Sequence, residues 1–172
     1  MSESAQHLVI MGVSGSGKST VAEMLAQRLG WTFSEADEFH PQSNIDKMTA
    51  GTPLNDDDRK PWLEAMRDWM AQMADDDVNT VVTCSALKHS YRDTLRQASG
   101  TVYFIHLHGS EELLSQRMTT RSGHFMPPSL LPSQLETLEM LGDDEAGLTI
   151  DIANTPEEIV DKVLTKLNLN AR

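Results

Sequence analysis

The chain has one cysteine, Cys84, among 172 residues. A disulfide within the chain is therefore excluded, and a reducing cytoplasm is the expected setting. Long apolar runs are also missing. No stretch approaches the roughly 20 residues that a membrane-spanning helix needs, and residues 1–6 are short and polar, with no signal-peptide pattern. Cations are scarce: 14 Lys and Arg face 26 Asp and Glu, for a formal net charge of −12. So acidic a surface has no general affinity for nucleic acid or anionic lipid, and neither is an expected partner. A small anion remains possible where the few cations gather in one cleft. Six scattered histidines and one cysteine show no zinc spacing. With no repeat and no linker-like segment, 1–172 reads as a single domain.

What is present is alternation. Short apolar, β-prone runs occur at 8–11, 31–34, 80–84, 102–107 and 148–152. Helical patterns separate them. The first, 18–29, carries Val21, Ala22, Leu25 and Leu29 on one face. Trp62, Leu63, Met66, Trp69, Met70 and Met73 then recur at three- and four-residue steps, with Pro61 suited to that helix's first turn. This stripe reads as core, and Cys84 as a buried packing residue. A helix at 90–97 follows, then one capped by Ser110 and running to about 120. Residues 123–132, with three prolines and a glycine, read as an irregular loop. Thr155-Pro156-Glu157-Glu158 opens a last helix with Ile159, Val160, Val163, Leu164 and Leu167 inward. The expected fold is α/β: a mainly parallel, five-stranded sheet covered on both faces, a three-layer sandwich. Ligands in such sheets sit beyond the carboxyl ends of the strands.

The first strand runs into Gly12-Val13-Ser14-Gly15-Ser16-Gly17-Lys18-Ser19, which fits the P-loop pattern G-x-x-x-x-G-K-[ST] in its proper strand–helix setting. Glycines let successive N–H groups curl inward, and the helix N-terminus adds positive potential. Lys18 is placed to reach the β- and γ-phosphates of ATP, and the Ser19 hydroxyl to ligate Mg²⁺. Thr20 completes the nucleotide-binding set.

The magnesium-binding Asp of large P-loop ATPases and GTPases is missing after 80–84 and 102–107, and no Asn-Lys-x-Asp guanine motif occurs. Acids instead follow the second strand, in Glu35-Ala36-Asp37-Glu38-Phe39-His40-Pro41. Asp37 is the candidate to accept a proton from a substrate hydroxyl, and Glu35 to hold the metal through water.

These features, together with Asn44-Ile45-Asp46-Lys47-Met48, the run from Gly51 through Pro53-Leu54-Asn55-Asp56-Asp57-Asp58-Arg59 to Trp62, Cys84-Ser85-Ala86-Leu87-Lys88, Tyr91-Arg92-Asp93 and Gly123-His124-Phe125-Met126, resemble the gluconokinase family. The likeness is ordered and spans about residues 8–151. It implies a P-loop fold of the shikimate-kinase and nucleoside-monophosphate-kinase type with a mobile lid. It also implies phosphorylation of the 6-hydroxyl of D-gluconate by ATP and Mg²⁺, and a homodimer. Relatives often carry Asp-x-Asp where this chain has Glu35-Ala36-Asp37.

A linear polyhydroxy acid needs a cation for its carboxylate and fixed polar groups for its hydroxyls. Candidates are His40, Lys47, Arg59, Lys88, Arg92 and His124. Arg59 is the expected carboxylate clamp, beside Lys88. Arg92 has an alternative partner in Asp93 or another acid on its own helix. By likeness to adenylate-kinase-type folds, a lid at about 117–135 brings Arg117 to the adenine or phosphates and Arg121 to the transferring phosphoryl group. Two rival readings remain: another small-acid kinase of this fold, such as shikimate kinase, and a nucleotide-binding regulatory switch without an acceptor.

Overall fold

Successive residues along the central strands face opposite ways, and the two sets of side chains meet two different helix layers. The computed structural model describes residues 5–13, 16–35, 39, 41–52, 55–120, 131–142 and 145–169, with backbone alone at 117–120, 131 and 133. In chain order the elements are β1 (Gln6–Met11), α1 (Lys18–Leu29), β2 (Thr32–Glu35), α2 (Gln42–Thr49), α3 (Asp56–Asp75), β3 (Thr80–Thr83), α4 (His89–Arg96), β4 (Thr101–His108), α5 (Glu111–Thr120), α6 (Leu131–Thr137), β5 (Gly147–Asp151) and α7 (Pro156–Lys166). The five strands form one sheet in the order β2-β3-β1-β4-β5, and every pairing is parallel.

Leu8, Ile10, Val81, Ile105, Leu107 and Ile150 face α1 and α7, which return Val21, Leu25, Ile159, Val160 and Val163. Val9, Met11, Val82 and Phe104 face α3 and α4, which return Trp62, Leu63, Met66, Met70, Tyr91 and Leu95. Trp62, Leu63, Met66 and Met70 of the Trp/Met stripe are thus core, each contributing roughly 1.5–3 kcal/mol by burial, while Trp69 and Met73 are only partly buried. Cys84 packs in this layer at 1% exposure.

This topology also places the site. β1 and β3 are neighbours, yet the helix after β1 covers one face and the helix after β3 covers the other. Their carboxyl ends therefore diverge and leave a crevice, the switch point of a doubly covered sheet. β2 lies beyond β3, so Glu35, level with Thr83, is two strand spacings from β1, roughly 10 Å.

The elements differ from the sequence reading in three places. α3 starts at Asp56, because Asn55 and Asp58 form a reciprocal capping box, so Pro61 falls in the second turn rather than the first. α2 has no counterpart among the expected helices; its eight residues bury only Asn44 and Met48. α6 begins at Leu131, inside the stretch expected to be irregular, with Pro132 in its first turn where a missing N–H is tolerated.

Candidate active site

One bank of the crevice is the loop after β1. Gly12 has φ +148, and a Cβ there would lie 2.6 Å from the Leu107 carbonyl oxygen and 2.8 Å from Ser16 Oγ, so only glycine lets the loop fold against β4. Gly17, at φ +88, is the N-cap of α1 and provides no side-chain acceptor; the first turn of the helix holds no acid. The leading N–H groups of α1 thus keep their positive potential. Ser16 is 1% exposed, and its hydroxyl has no hydrogen-bond partner. Lys18 Nζ donates to the carbonyls of Gly12 (3.0 Å) and Val13 (3.1 Å), folded back over the loop. Ser19 and Thr20 continue the first turn of α1. An orphaned hydroxyl, an uncapped helix end and an ammonium group converge here, a donor set that fits phosphate oxygens.

The other bank is built from the starts of α3 and α4. Asn55 Oδ1 accepts from the Asp58 N–H (2.8 Å), while Asp58 Oδ2 accepts from the Asn55 N–H (3.0 Å). Asp58 also takes Lys47 Nζ at 2.8 Å, and its carbonyl takes Asn44 Nδ2 at 2.8 Å, so α2 is pinned to the start of α3. Arg59 Nη1 donates to the Tyr91 hydroxyl (2.8 Å), which donates to Asp56; Lys88 Nζ reaches the same carboxylate at 3.1 Å. The Arg59 guanidinium and Lys88 ammonium flank the Tyr91 ring, 5.2 and 5.5 Å from its centroid. The Tyr91 hydroxyl bond, then the Lys88 bond, hold Asp56 below the usual carboxylate range. Burial and the Asp56 bond push the Tyr91 hydroxyl up, and the Asp56 bond raises Lys88.

The structure therefore gathers Arg59 and Lys88 around Tyr91, with Lys47 one acid away. Tyr91 and Asp56 were not among the expected site residues. The available signal was the placement of Tyr91 three positions after Lys88, at a helix start beyond a strand. The two banks touch: the Gly12 N–H donates to the Ser85 carbonyl at 3.3 Å.

Arg92 requires a correction. It is fully buried, and neither Asp93 nor another acid on its own helix is its partner. Its Nε and Nη2 grip Glu145 at 2.5 and 3.0 Å, Nη1 donates to the Ala86 carbonyl at 2.8 Å, and Nη2 also meets the Met140 carbonyl at 3.3 Å. A guanidinium so enclosed has no surface open to solvent, and its donors are spent within the protein. Burial alone would raise Glu145, but Arg92, the Gly142 N–H and Arg96 outweigh it and hold it down at about 2.

His106, which the sequence did not single out, is wholly buried on β4 beside Met11, with no hydrogen-bond partner on either ring nitrogen. Burial first, then His108, Arg92 and Lys18, push it down to about 4, so it is neutral at ordinary pH. Glu35 ends β2, half-buried and across β3 from the loop. Arg117 lies in α5, described by backbone alone; Ser14, Gly15, Asp37, His40, Arg121 and His124 lie outside the described residues. Among the described residues, no cluster of three or more His, Cys, Asp or Glu could hold a metal, and no helix is long and apolar enough to cross a membrane.

Comparison with known proteins adds to this geometry. The shikimate kinase family profile matches residues 14–168. A gluconokinase of Gluconobacter oxydans is 48% identical over 157 residues, covering 91% of this chain and 88% of the relative. A crystal structure of a sugar kinase from Janibacter sp. HTCC2649 superposes with a TM-score of 0.93 at 50% identity, covering 96% of this chain and 95% of that one. A gluconokinase structure from Sinorhizobium meliloti 1021 gives 0.86 at 48% identity, covering 97% and 94%.

Proposed function

We infer the chemistry of this site from its lineage, since the chain belongs to the shikimate kinase family and, within it, to the gluconokinases. It is a kinase that uses ATP to phosphorylate an alcohol group, and its acceptor is D-gluconate, taken at the 6-hydroxyl. The observation that best supports a shared site is the contact between banks: the phosphate loop and the turn carrying Lys88 leave adjacent strand ends, joined by the Gly12–Ser85 hydrogen bond.

The triphosphate lies along the amides of residues 12–19 and the start of α1, with Lys18 turned from its own loop carbonyls toward the β- and γ-phosphates. Ser16, otherwise an unpaired buried hydroxyl, gains a phosphate oxygen as partner. Gluconate lies along the opposite bank. Its carboxylate takes the place that Asp56 holds against Lys88 and Tyr91, with Arg59 beside it. Lys47, His40 and His124 supply polar contacts to the hydroxyls.

Asp37 accepts the proton of the 6-hydroxyl as that oxygen bonds to the γ-phosphorus and the bond to the bridging oxygen of ADP breaks. Arg117 and Arg121, from the lid at 117–135, steady the phosphates. The Ser19 hydroxyl and, through water, Glu35 are the oxygen donors suited to magnesium, a hard cation. When bound, magnesium neutralises charge on the β- and γ-phosphates. The protein works in the cytoplasm as a homodimer, each chain one kinase domain.

The test is coupled ADP release with gluconate, shikimate or nucleoside monophosphates as acceptor. Gluconate alone is expected to stimulate release; shikimate turnover without gluconate turnover would overturn the reading. Asp37→Asn is expected to lower turnover about a hundredfold with ATP binding retained.

A further inference from the structure

The group that the site leaves unexplained is the buried pair Arg92–Glu145. Taking two charges out of water costs several kcal/mol each, and an apolar pair would often serve stability as well. The geometry gives the ion pair another task. Ala86, in the turn between β3 and α4, has φ +45, a left-handed conformation that costs a non-glycine residue roughly 1–2 kcal/mol. The turn must be held from outside. Arg92 Nη1 holds the Ala86 carbonyl at 2.8 Å, and the Glu139 N–H holds the next carbonyl, Leu87, at 2.7 Å. The following residue is Lys88. The chain after α6 is fastened by the same group: Arg92 Nη2 meets the Met140 carbonyl, Glu139 Oε1 accepts from the His89 N–H at 2.9 Å, and Glu145 accepts from Gly142 and Arg96.

We propose that Arg92, fixed by Glu145, is a positioning residue for the acceptor: it locks the Ala86–Leu87 turn against Glu139, Met140 and Glu145, and so sets where Lys88 meets the substrate carboxylate. The proposal rests on the reading that Lys88 binds gluconate. It explains why the residue is arginine. Only a guanidinium can satisfy a carboxylate with two parallel bonds and still reach two carbonyls in other directions. A lysine keeps the charge that Glu145 requires but brings three donors to four bonds and has no planar fork for the carboxylate.

The test compares Arg92→Lys, Lys88→Met and the double variant with wild type, reading the KM for gluconate, the KM for ATP, kcat and the thermal midpoint. Arg92→Lys is expected to raise the gluconate KM about tenfold, equivalent to about 1.4 kcal/mol, with the ATP KM unchanged. The double variant is expected to be no worse for gluconate than Lys88→Met, because both changes act on one contact. The pair Arg92→Met with Glu145→Met removes both buried charges. It is expected to keep the fold yet show the same raised gluconate KM, which a purely structural pair would not. A wild-type gluconate KM in folded Arg92→Lys or in the apolar pair, additive effects in the double variant, or a gluconate KM insensitive to Lys88→Met would each overturn the proposal. Absence of gluconate-dependent ADP release in the wild-type control would overturn the function reading along with it.

Discussion

The two banks of the crevice are built on opposite principles. α1 begins at a glycine with φ +88, no capping side chain and no acid in its first turn. α3 begins with a complete capping box and three aspartates. α7 has a complete box as well, from Thr155 and Glu158. α2 and α4 also begin without a side-chain cap from their own N-cap residue, but α4's first N–H, that of His89, is taken by Glu139. At α1 the bare end follows a glycine-rich loop, so its N–H groups are open to another acceptor. The α3–α4 bank satisfies its groups internally, through Asp58–Lys47, Asp56–Lys88–Tyr91–Arg59 and Arg92–Glu145. The loop bank should thus fail when something is added to it, and the facing bank when something is removed.

The strongest way to break this contrast is to give α1 the cap it lacks. Gly17→Asp meets nothing within 4 Å of its Cβ, so folding survives at a cost of roughly 1–2 kcal/mol for the left-handed backbone. A carboxylate about 4 Å from a phosphate is worth about 4 kcal/mol of repulsion at an effective dielectric of 20, so ATP affinity should fall about a thousandfold by calorimetry. Undiminished binding would show that the bare end is not the phosphate site. Lys18→Ala should lower kcat about a hundredfold or more with every acceptor, because it removes a cation from the developing phosphoryl charge; wild-type kcat would sink that role.

On the opposite bank, acid is the probe. Glu145 is held at about 2 against an ordinary 4.5. Its stabilising contribution is therefore complete above about pH 4.5 and lost as pH falls toward 2, on the order of 3 kcal/mol. His106, pushed from 6.5 to about 4, acts in a higher window: stability falls as pH drops from 6.5 to 4, because the unfolded chain takes up the proton first. Urea midpoints measured against pH should show both segments, with the lower one flattened in Glu145→Gln. A profile with no loss between pH 4.5 and 2 would refute the Glu145 assignment. The smallest effect belongs to Asn55→Ala. It removes half of the α3 capping box and should cost about 1 kcal/mol by denaturant unfolding; a loss under a few tenths would mean that the box is dispensable.

Legibility in the sequence followed range. The phosphate loop was plain because its signal is local: eight residues at fixed spacing between a strand and a helix. The five strands and the inward faces of α1, α3 and α7 were plain because periodicity is local too. The order of the strands was not, since alternation implies a parallel sheet but does not say that β3 enters between β1 and β2. The family likeness points to Arg59, and a place just beyond a strand end points to Lys88, but their meeting point on Tyr91 lies 32 residues from Arg59. The partner of Arg92 is 53 residues away, and nothing near Arg92 marks Glu145, so charge alone suggested a ligand contact instead. α2 escaped notice because eight residues with a single buried apolar side chain, Met48, are too short and too polar a run to read as an inward-facing helix.

The entry of β3 beside β1 has a kinetic consequence. On the proposed assignment of the two banks, donor and acceptor would dock on separate walls that meet where the phosphoryl group changes hands, so neither compound would block the other's doorway. The expected pattern is a ternary complex assembled in either sequence, with initial-velocity lines that intersect and product inhibition that is competitive within each like pair. Parallel lines would mean instead that one wall must empty before the other fills.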